Sequence, residues 1–238
     1  MDRRDGTMKV ATYEGRGVVV YTKEHWKILK EKRKRAREVM EKLRDFGIES
    51  IVYGSVARGD VNKNSDVDIF IPYQIPSYRI EIALEDFEVL ERRIVQATPN
   101  YAIKGEFVLT DNTTVSFPLV KMKENELDFY RFGGCLDYQE LLQDKRVAGV
   151  DKRLVLILPT KDGHVEIPIS DVQPSYVAKV LNVSLEIVEE RIRVLEKRRE
   201  VGRTGIFLCE SVPSFTSFEA HLMEIAKNNP MVRKRLNV

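Results

Sequence analysis

The 238-residue sequence contains few of the residues that build disulfide frameworks or zinc sites. It has two cysteines and three histidines, which are Cys135, Cys209, His25, His164 and His221. None of them stands at the spacing that zinc ligands require. Two cysteines are too few for a disulfide-stabilised scaffold, so we expect the chain to work in a reducing intracellular compartment.

Long apolar runs and an excess of one charge are also missing. No run approaches the roughly 20 residues of a membrane-spanning helix, and the first five residues contain no apolar signal core. We therefore expect a cytoplasmic protein without membrane contact. The 39 basic and 37 acidic residues give a net charge of +2, so only a local charge cluster could favour a polyanionic partner.

The sequence does contain a Gly-Ser turn followed by two closely spaced aspartates. Gly54-Ser55 follows the apolar segment 48–53, and Asp66 and Asp68 stand eleven and thirteen residues after Ser55, beside a second apolar segment. Residues i and i+2 of a strand project from one face about 6–7 Å apart, so the two carboxylates can share divalent cations. A Gly-Ser turn can bind phosphate through its backbone N–H groups. An exposed strand edge is the alternative, but it gives two adjacent like charges no structural benefit. The pattern therefore indicates phosphoryl or nucleotidyl transfer.

The segments Gly54-Ser55-Val56-Ala57-Arg58-Gly59-Asp60 and Ser65-Asp66-Val67-Asp68 resemble the motif of the polymerase-β-like nucleotidyltransferase superfamily. The match is best with its small, minimal members, in particular with predicted nucleotidyltransferases of archaea. The resemblance covers about residues 48–72. It implies transfer of a nucleoside monophosphate from a nucleoside triphosphate to an acceptor, with release of pyrophosphate and two Mg²⁺ ions held by Asp66 and Asp68.

The resemblance also implies roles for the residues of the turn and loop. Gly54 would let the backbone approach phosphate, and Ser55 would bind the β- and γ-phosphates. Arg58, Asp60 and Ser65 complete the expected nucleotide-binding set. For Arg58 and Asp60, a salt bridge within the loop is an equal alternative to a substrate contact.

Active members of the superfamily carry a third acidic residue on the strand after the second helix. Here the strand expected over residues 101–109 holds one acid, Glu106, which we assign as the third catalytic residue. A solvated hairpin residue is the alternative for Glu106. Asp128 is a second candidate for the third acid, although its surroundings predict a helix.

The pattern of apolar residues predicts an α/β (α+β) fold with a mixed sheet flanked by helices. The expected elements of the first domain, residues 1–149, end on a short helix at 138–142. They are a hairpin at 8–21, a helix from the cap Thr22 to before Gly47, a helix at 77–97, strands at 101–109 and 114–120, and a helix from 125 to Gly133-Gly134.

Residues 150–238 are expected to form a second domain with a winged-helix-like fold. The pattern predicts a hairpin at 154–158 and 164–169, helices at 176–181 and from the cap Ser184 to Gly202, a strand at 203–208 and a helix at 218–228. The helix after Ser184 carries five acidic and five basic residues. Because a DNA-reading helix normally presents a basic face, contact with protein or dimerisation is as good an interpretation as DNA binding.

Residues 30–37, in the first long helix, hold six basic residues and one acid. They form either a track for a polyanion or the solvated face of an amphipathic helix.

The leading hypothesis is a Mg²⁺-dependent nucleotidyltransferase whose acceptor is a protein, an RNA or a small molecule. The alternatives are a regulator that binds nucleotide and DNA without catalysis, and a partner-binding module.

Overall fold

The structure is a computed structural model that describes residues 7–13, 16–202 and 205–236. Its helices are α1 (Lys23–Asp45), α2 (Ser55–Arg58), α3 (Ser77–Ala83), α4 (Glu124–Gly133), α5 (Tyr138–Leu142), α6 (Pro174–Leu181), α7 (Leu185–Val201), α8 (Phe218–Asn228) and α9 (Pro230–Leu236). Its strands are β1 (Thr7–Tyr13), β2 (Arg16–Tyr21), β3 (Ile51–Tyr53), β4 (Val67–Phe70), β5 (Val89–Gln96), β6 (Lys104–Leu109), β7 (Thr113–Pro118), β8 (Cys135–Asp137), β9 (Gly149–Val150), β10 (Val155–Thr160), β11 (Gly163–Pro168) and β12 (Leu208–Ser211).

Within these ranges the strands form two sheets. The large sheet has the order β12-β5-β6-β7-β4-β3-β8, and the small sheet has the order β1-β2-β11-β10-β9. The large sheet is mixed, because β4 and β7 run parallel while the neighbouring pairs are antiparallel. The predicted mixed α/β fold is therefore confirmed.

Helix α1 supports the large sheet from one face. The Thr22 hydroxyl caps it by accepting the His25 backbone N–H at 3.2 Å, as the sequence predicted. An apolar stripe on α1, including Ala36, Val39 and Leu43, is fully buried in the same core as Val67 and Ile69 of β4. Burial of that stripe at helical spacing accounts for the length of α1.

The helix predicted over residues 77–97 is wrong in its second half. Helix α3 ends at Ala83, and residues 89–96 form β5, which pairs with β6 and β12. Apolar residues at 80, 84, 87, 90 and 94 have helical spacing, but Val89, Ile94 and Val95 are β-branched and favour extended backbone. Strand β6 also needs a partner for the N–H and C=O groups of its outer edge. Pairing with β6 therefore makes residues 89–96 a strand rather than a helix.

The winged-helix interpretation of the C-terminal part is not confirmed. Helices α6 and α7 are present as predicted, and Ser184 caps α7 by accepting the Ile187 N–H. The strand predicted at 203–208 instead occupies Leu208–Ser211 and pairs with β5 of the large sheet. Residues 203 and 204 lie outside the described residues.

The segment after β12 packs on the large sheet. Phe218 and Leu222 of α8 and Val232 of α9 are buried in the same core as α1 and β4, whereas α6 and α7 pack with β10 and β11 in a second core. Each sheet thus contains strands from both sides of residue 149, where we placed the domain boundary, and that boundary stays a prediction. Among the described helices, none is long and apolar enough to cross a membrane.

Candidate active site

The Gly-Ser turn joins β3 to α2 in a conformation that requires glycine. Gly54 has φ 78° and ψ −145°, a backbone region that L-residues rarely adopt. Its N–H donates to the Gly134 carbonyl oxygen at 2.9 Å. The Ser55 side chain lines an open cleft at this point, so the turn presents a hydroxyl to the solvent-filled space.

Helix α1 holds the far end of the turn through two buried side chains. Arg33 donates from Nε to the Val56 carbonyl and from Nη2 to the Ala57 carbonyl, both at 3.1 Å. His25 Nε2 hydrogen-bonds the Gly59 carbonyl at 2.7 Å. These bonds satisfy carbonyl groups at the end of a four-residue helix.

Part of the basic run of α1 is committed to contacts within the protein. Arg33 is buried, Arg35 lies over the Phe87 ring at 5.0 Å, and Lys34 pairs with Glu38. These contacts favour the amphipathic-helix interpretation over a continuous track for a polyanion.

Arg58 and Asp60 form the loop salt bridge rather than a free phosphate contact. Arg58 Nε and Nη2 each donate to a different carboxylate oxygen of Asp60 at 2.9 Å, and Nη1 donates to the Gly133 carbonyl at 2.6 Å. The Arg58 and Asp60 side chains are 7% and 11% exposed. Both residues border the cleft, but each guanidinium nitrogen of Arg58 already has an acceptor.

Asp66 and Asp68 lie on the same wall of the cleft as Gly54 and Ser55. Asp66 immediately precedes β4 and is exposed, whereas Asp68 lies within β4 and is half-buried. Burial, followed by the charge of Asp66, raises the pKa of Asp68 to about 6. The pair therefore carries a like-charge repulsion that a bound cation would relieve.

The carboxylate pair suits a hard divalent cation such as Mg²⁺. Mg²⁺ prefers oxygen ligands and typically binds one or two carboxylates together with substrate phosphates and water. Across the described parts of the chain, no group of three or more His, Cys, Asp or Glu side chains is arranged to hold a metal ion. Asp66 and Asp68 could therefore supply two ligands to such a cation, and the remaining ligands would come from substrate or water.

Glu106 lies near this pair but is bound to another residue. Its charge contributes to raising the Asp68 pKa, after Asp66, while its Oε2 accepts from Arg93 Nε at 2.7 Å. Lys104, two residues earlier on β6, is half-buried near Glu106 and Asp68, and desolvation lowers the pKa of its amine. Two cations thus balance the Glu106 carboxylate, and the structure does not add it to the Asp66–Asp68 pair.

The other two expected residues serve local structure. Asp128 accepts from Arg131 through Oδ1 and from the Ser184 backbone N–H through Oδ2 at 3.1 Å. This places it against the start of α7, outside the residues that line the cleft. Ser65 lines the cleft, and its hydroxyl accepts the Asn62 N–H at 2.9 Å.

The opposite wall of the cleft comes from the small sheet and α7, and sequence reasoning did not anticipate it. The cleft has a volume of about 610 Å³. Four basic residues of that wall line it, namely Lys152, Arg153, Arg191 and Arg198. Among nearby cations, Lys152 contributes most to lowering the Asp68 pKa. No local pattern links these positions to Asp68, because only the packing of the small sheet brings them there.

Tyr21 attaches the small sheet to α1 beside the turn. Its hydroxyl hydrogen-bonds His164 Nδ1 of β11 at 2.8 Å, and its ring stacks on His25 with centroids 3.6 Å apart. The Arg146 side chain packs over Tyr21 and donates to the Gly163 carbonyl. The two walls of the cleft are therefore tied together next to Gly59.

Comparison with known proteins gives one match. Residues 23–124 match the family model described as a nucleotidyltransferase domain. No curated protein and no solved structure matches the chain. The matched range includes the turn, the Arg58–Asp60 pair, both aspartates and Glu106, and it leaves out the small sheet and α7, which form the opposite wall.

Proposed function

We propose that this protein is a transferase of phosphorus-containing groups in which Asp66 and Asp68 bind Mg²⁺ and a nucleoside triphosphate for transfer of the nucleoside monophosphate. The match of residues 23–124 to the nucleotidyltransferase domain family supports this proposal. The observation that carries the proposal is the shared wall of the cleft: Ser55, Asp66 and Asp68 all face the same 610 Å³ space. That space is large enough for a nucleotide and part of an acceptor.

The reaction is an in-line displacement at the α-phosphorus. A nucleophilic atom of the acceptor forms a bond to that phosphorus and loses its proton, while the bond to the bridging oxygen of the β-phosphate breaks. Pyrophosphate leaves with the bonding electrons. Bound Mg²⁺ would stabilise the negative charge on the attacking and leaving oxygens.

The chain's own residues bind and orient the triphosphate. The Ser55 hydroxyl contacts the β- and γ-phosphates from the turn, and Lys152 offers a positive charge from the opposite wall. Arg58 and Asp60 act as positioning residues that hold the loop, together with His25 and Arg33. Ser65 supports the segment that leads into Asp66.

For Glu106 we propose another role than that of a third catalytic residue. Its carboxylate is held by Arg93, so we propose that it sets the local charge around Asp68 rather than binding metal. Glu106→Gln should lower the transfer rate by about tenfold, whereas loss of a metal ligand should lower it by about a thousandfold or more.

The test is incubation of the full chain with Mg²⁺, each α-³²P-labelled nucleoside triphosphate, and protein, RNA or small-molecule acceptors. We expect label transfer and pyrophosphate release in the wild type and neither in Asp66→Asn with Asp68→Asn. Asp45→Asn, an exposed aspartate at the end of α1, is the matched control. Transfer that persists in the double variant would contradict the proposal.

A second candidate is nucleotide binding without transfer. The ion pair between Glu106 and Arg93 favours it, because it leaves two carboxylates rather than three for the metal. Tight binding of Mg²⁺ with nucleotide, without pyrophosphate release for any acceptor, would support this candidate.

A further inference from the structure

The α7 side of the cleft contains two guanidinium groups that lack an anionic partner. Arg191 and Arg198 are seven residues apart on α7, so they lie on one face of the helix with Leu195 between them. Neither forms an ion pair within the described parts of the chain. The Arg191 Nε is buried and has no hydrogen-bond partner there.

The nearby acidic groups of this wall are already bound. Asp151 and Glu166 both accept from Arg153, at 2.5 and 2.6 Å. Glu190 interacts with Arg191 electrostatically, but the repulsion from Arg198 is the stronger charge effect on Arg191. Two like charges facing one cleft are unfavourable unless an anion binds between them.

Arg191 is held ready for such an anion. Its guanidinium lies over the Phe129 ring, 4.9 Å from the centroid. Packing of this kind restricts the side chain, so little conformational entropy is lost when it binds a ligand. A guanidinium binds phosphate through two parallel hydrogen bonds.

The position of the pair separates it from the triphosphate. Asp66 and Asp68 stand at the start of β4 in one wall of the cleft, whereas Arg191 and Arg198 stand on α7 in the opposite wall, where Arg191 packs on Phe129 of α4. With the triphosphate bound at the two aspartates, the α7 pair faces a second occupant of the cleft. In a nucleotidyl transfer that second occupant is the acceptor.

We propose that Arg191 and Arg198 bind a phosphate group carried by the acceptor, so that the acceptor is a phosphate monoester or a phosphodiester. The assignment of this ligand to the acceptor rests on the proposed function. The phosphate site on α7 does not rest on that function, because it is argued from two guanidinium groups that form no ion pair with the residues that the structure describes.

The test measures phosphate binding while the triphosphate site is filled. The full chain is saturated with Mg²⁺ and α,β-methylene ATP, and then titrated by calorimetry with inorganic phosphate, with ribose 5-phosphate and with ribose. A fluorescein-labelled single-stranded oligonucleotide is titrated in parallel by anisotropy. Binding of ribose 5-phosphate indicates a small phosphorylated acceptor, and binding of the oligonucleotide alone indicates a phosphodiester.

We expect Arg191→Gln and Arg198→Gln each to weaken the binding of the phosphate-bearing probe by about tenfold or more. Arg193→Gln makes the same change at an exposed position on another face of α7, and it should change that affinity less than about twofold. Melting temperatures confirm that all three variants fold. Ribose should not bind.

Three results would overturn the inference. The first is that no phosphate-bearing probe binds. The second is that Arg193→Gln weakens binding of the probe as much as Arg191→Gln and Arg198→Gln do. The third is that these two variants lose affinity for the ATP analogue instead of the phosphate probe. The same titration on Asp66→Asn with Asp68→Asn separates this inference from the proposed function. If the double variant still binds phosphate while the wild type transfers no label, the proposed function is wrong. The phosphate site on α7 would then stand on its own.

Discussion

Arg58 and Asp60 form a bidentate ion pair beneath the Gly54 turn, with both N–O distances at 2.9 Å. The third nitrogen of the guanidinium donates to Gly133 at the end of α4. The pair therefore joins the loop after the Gly54 turn to the C-terminal end of α4. Its function is to fix the loop, and its burial makes it sensitive to the loss of either partner.

We expect Arg58→Met to lower the free energy of unfolding by about 3–5 kcal/mol, because it leaves the buried Asp60 carboxylate without a partner. Asp60→Asn should cost a similar amount, and the double variant should cost less than the sum. Denaturation by guanidinium chloride measures the free energy of unfolding of the two single variants and of the double variant. Lys227→Gln breaks an ion pair whose side chains are both 66% exposed, and it should cost under about 1 kcal/mol. Additive losses from the two buried residues would contradict the pairing.

Asp68 should destabilise the metal-free protein at neutral pH. Its pKa is raised to about 6 from an ordinary value of 3.8, so ionisation favours the unfolded chain, and this cost develops as the pH rises from about 4 to 6. Asp68→Asn removes the cost and should raise the free energy of unfolding at pH 8 by about 1–3 kcal/mol.

Denaturation in a chelating buffer at pH 4 and pH 8 tests this prediction. The variant should gain stability over the wild type at pH 8 and little at pH 4. Added Mg²⁺ and nucleotide should reverse the order, because they stabilise the wild type only. An equal difference at both pH values would contradict the cause assigned to the shift.

Phe218 should be essential to the large sheet although it lies 94 residues beyond the family-matched range. It is fully buried, and its ring lies 5.0 Å from that of Phe107 and 5.1 Å from that of Phe117 between centroids. Phe218→Ala should lower the free energy of unfolding by about 3–5 kcal/mol through the cavity that it leaves.

Phe215→Ala is the matched control, because that ring is 90% exposed, and it should cost less than about 0.5 kcal/mol. A chain that ends at residue 202 should likewise fail to fold as the wild type does. Equal stability of the two alanine variants in urea denaturation would show that α8 does not belong to this core.

Glu166 should contribute to stability at neutral pH and lose that contribution in acid. Its contacts with His164 and Arg153 hold the pKa of the carboxyl at about 2, below the ordinary 4.5. Because the folded-state pKa is depressed, the stabilisation is complete above about pH 4.5 and is lost as the pH falls toward 2. Glu166→Gln should lower the free energy of unfolding at pH 7 by up to about 3 kcal/mol.

The difference between wild type and Glu166→Gln should therefore shrink between pH 5 and pH 2. Glu189→Gln, at an exposed position on α7, should show no such difference. Urea denaturation at several pH values measures both. A difference that stays constant across the range would exclude the ion pair as its source.

Much of the region that matches the family model was predictable because its signals are local. The Thr22 cap, the apolar stripe of α1 and the Gly-Ser turn each depend on residues close in sequence, where helix capping and glycine geometry act. The second half of the predicted helix at 77–97 failed because β5 is held by β6 and β12, one of which is more than 100 residues away. The spacing of apolar residues within 77–97 could not show that β12 pairs with β5.

The sequence by itself determined the Gly-Ser turn and the two carboxylates, two residues apart beside a strand, on which the proposed transfer chemistry rests. The tertiary structure alone decided what faces them. Packing of the small sheet and α7 placed Lys152, Arg191 and Arg198 across the cleft, and Arg93 forms an ion pair with the carboxylate of Glu106. The reason is that charge pairing acts through space between distant segments, while strand and turn geometry is set by neighbouring residues.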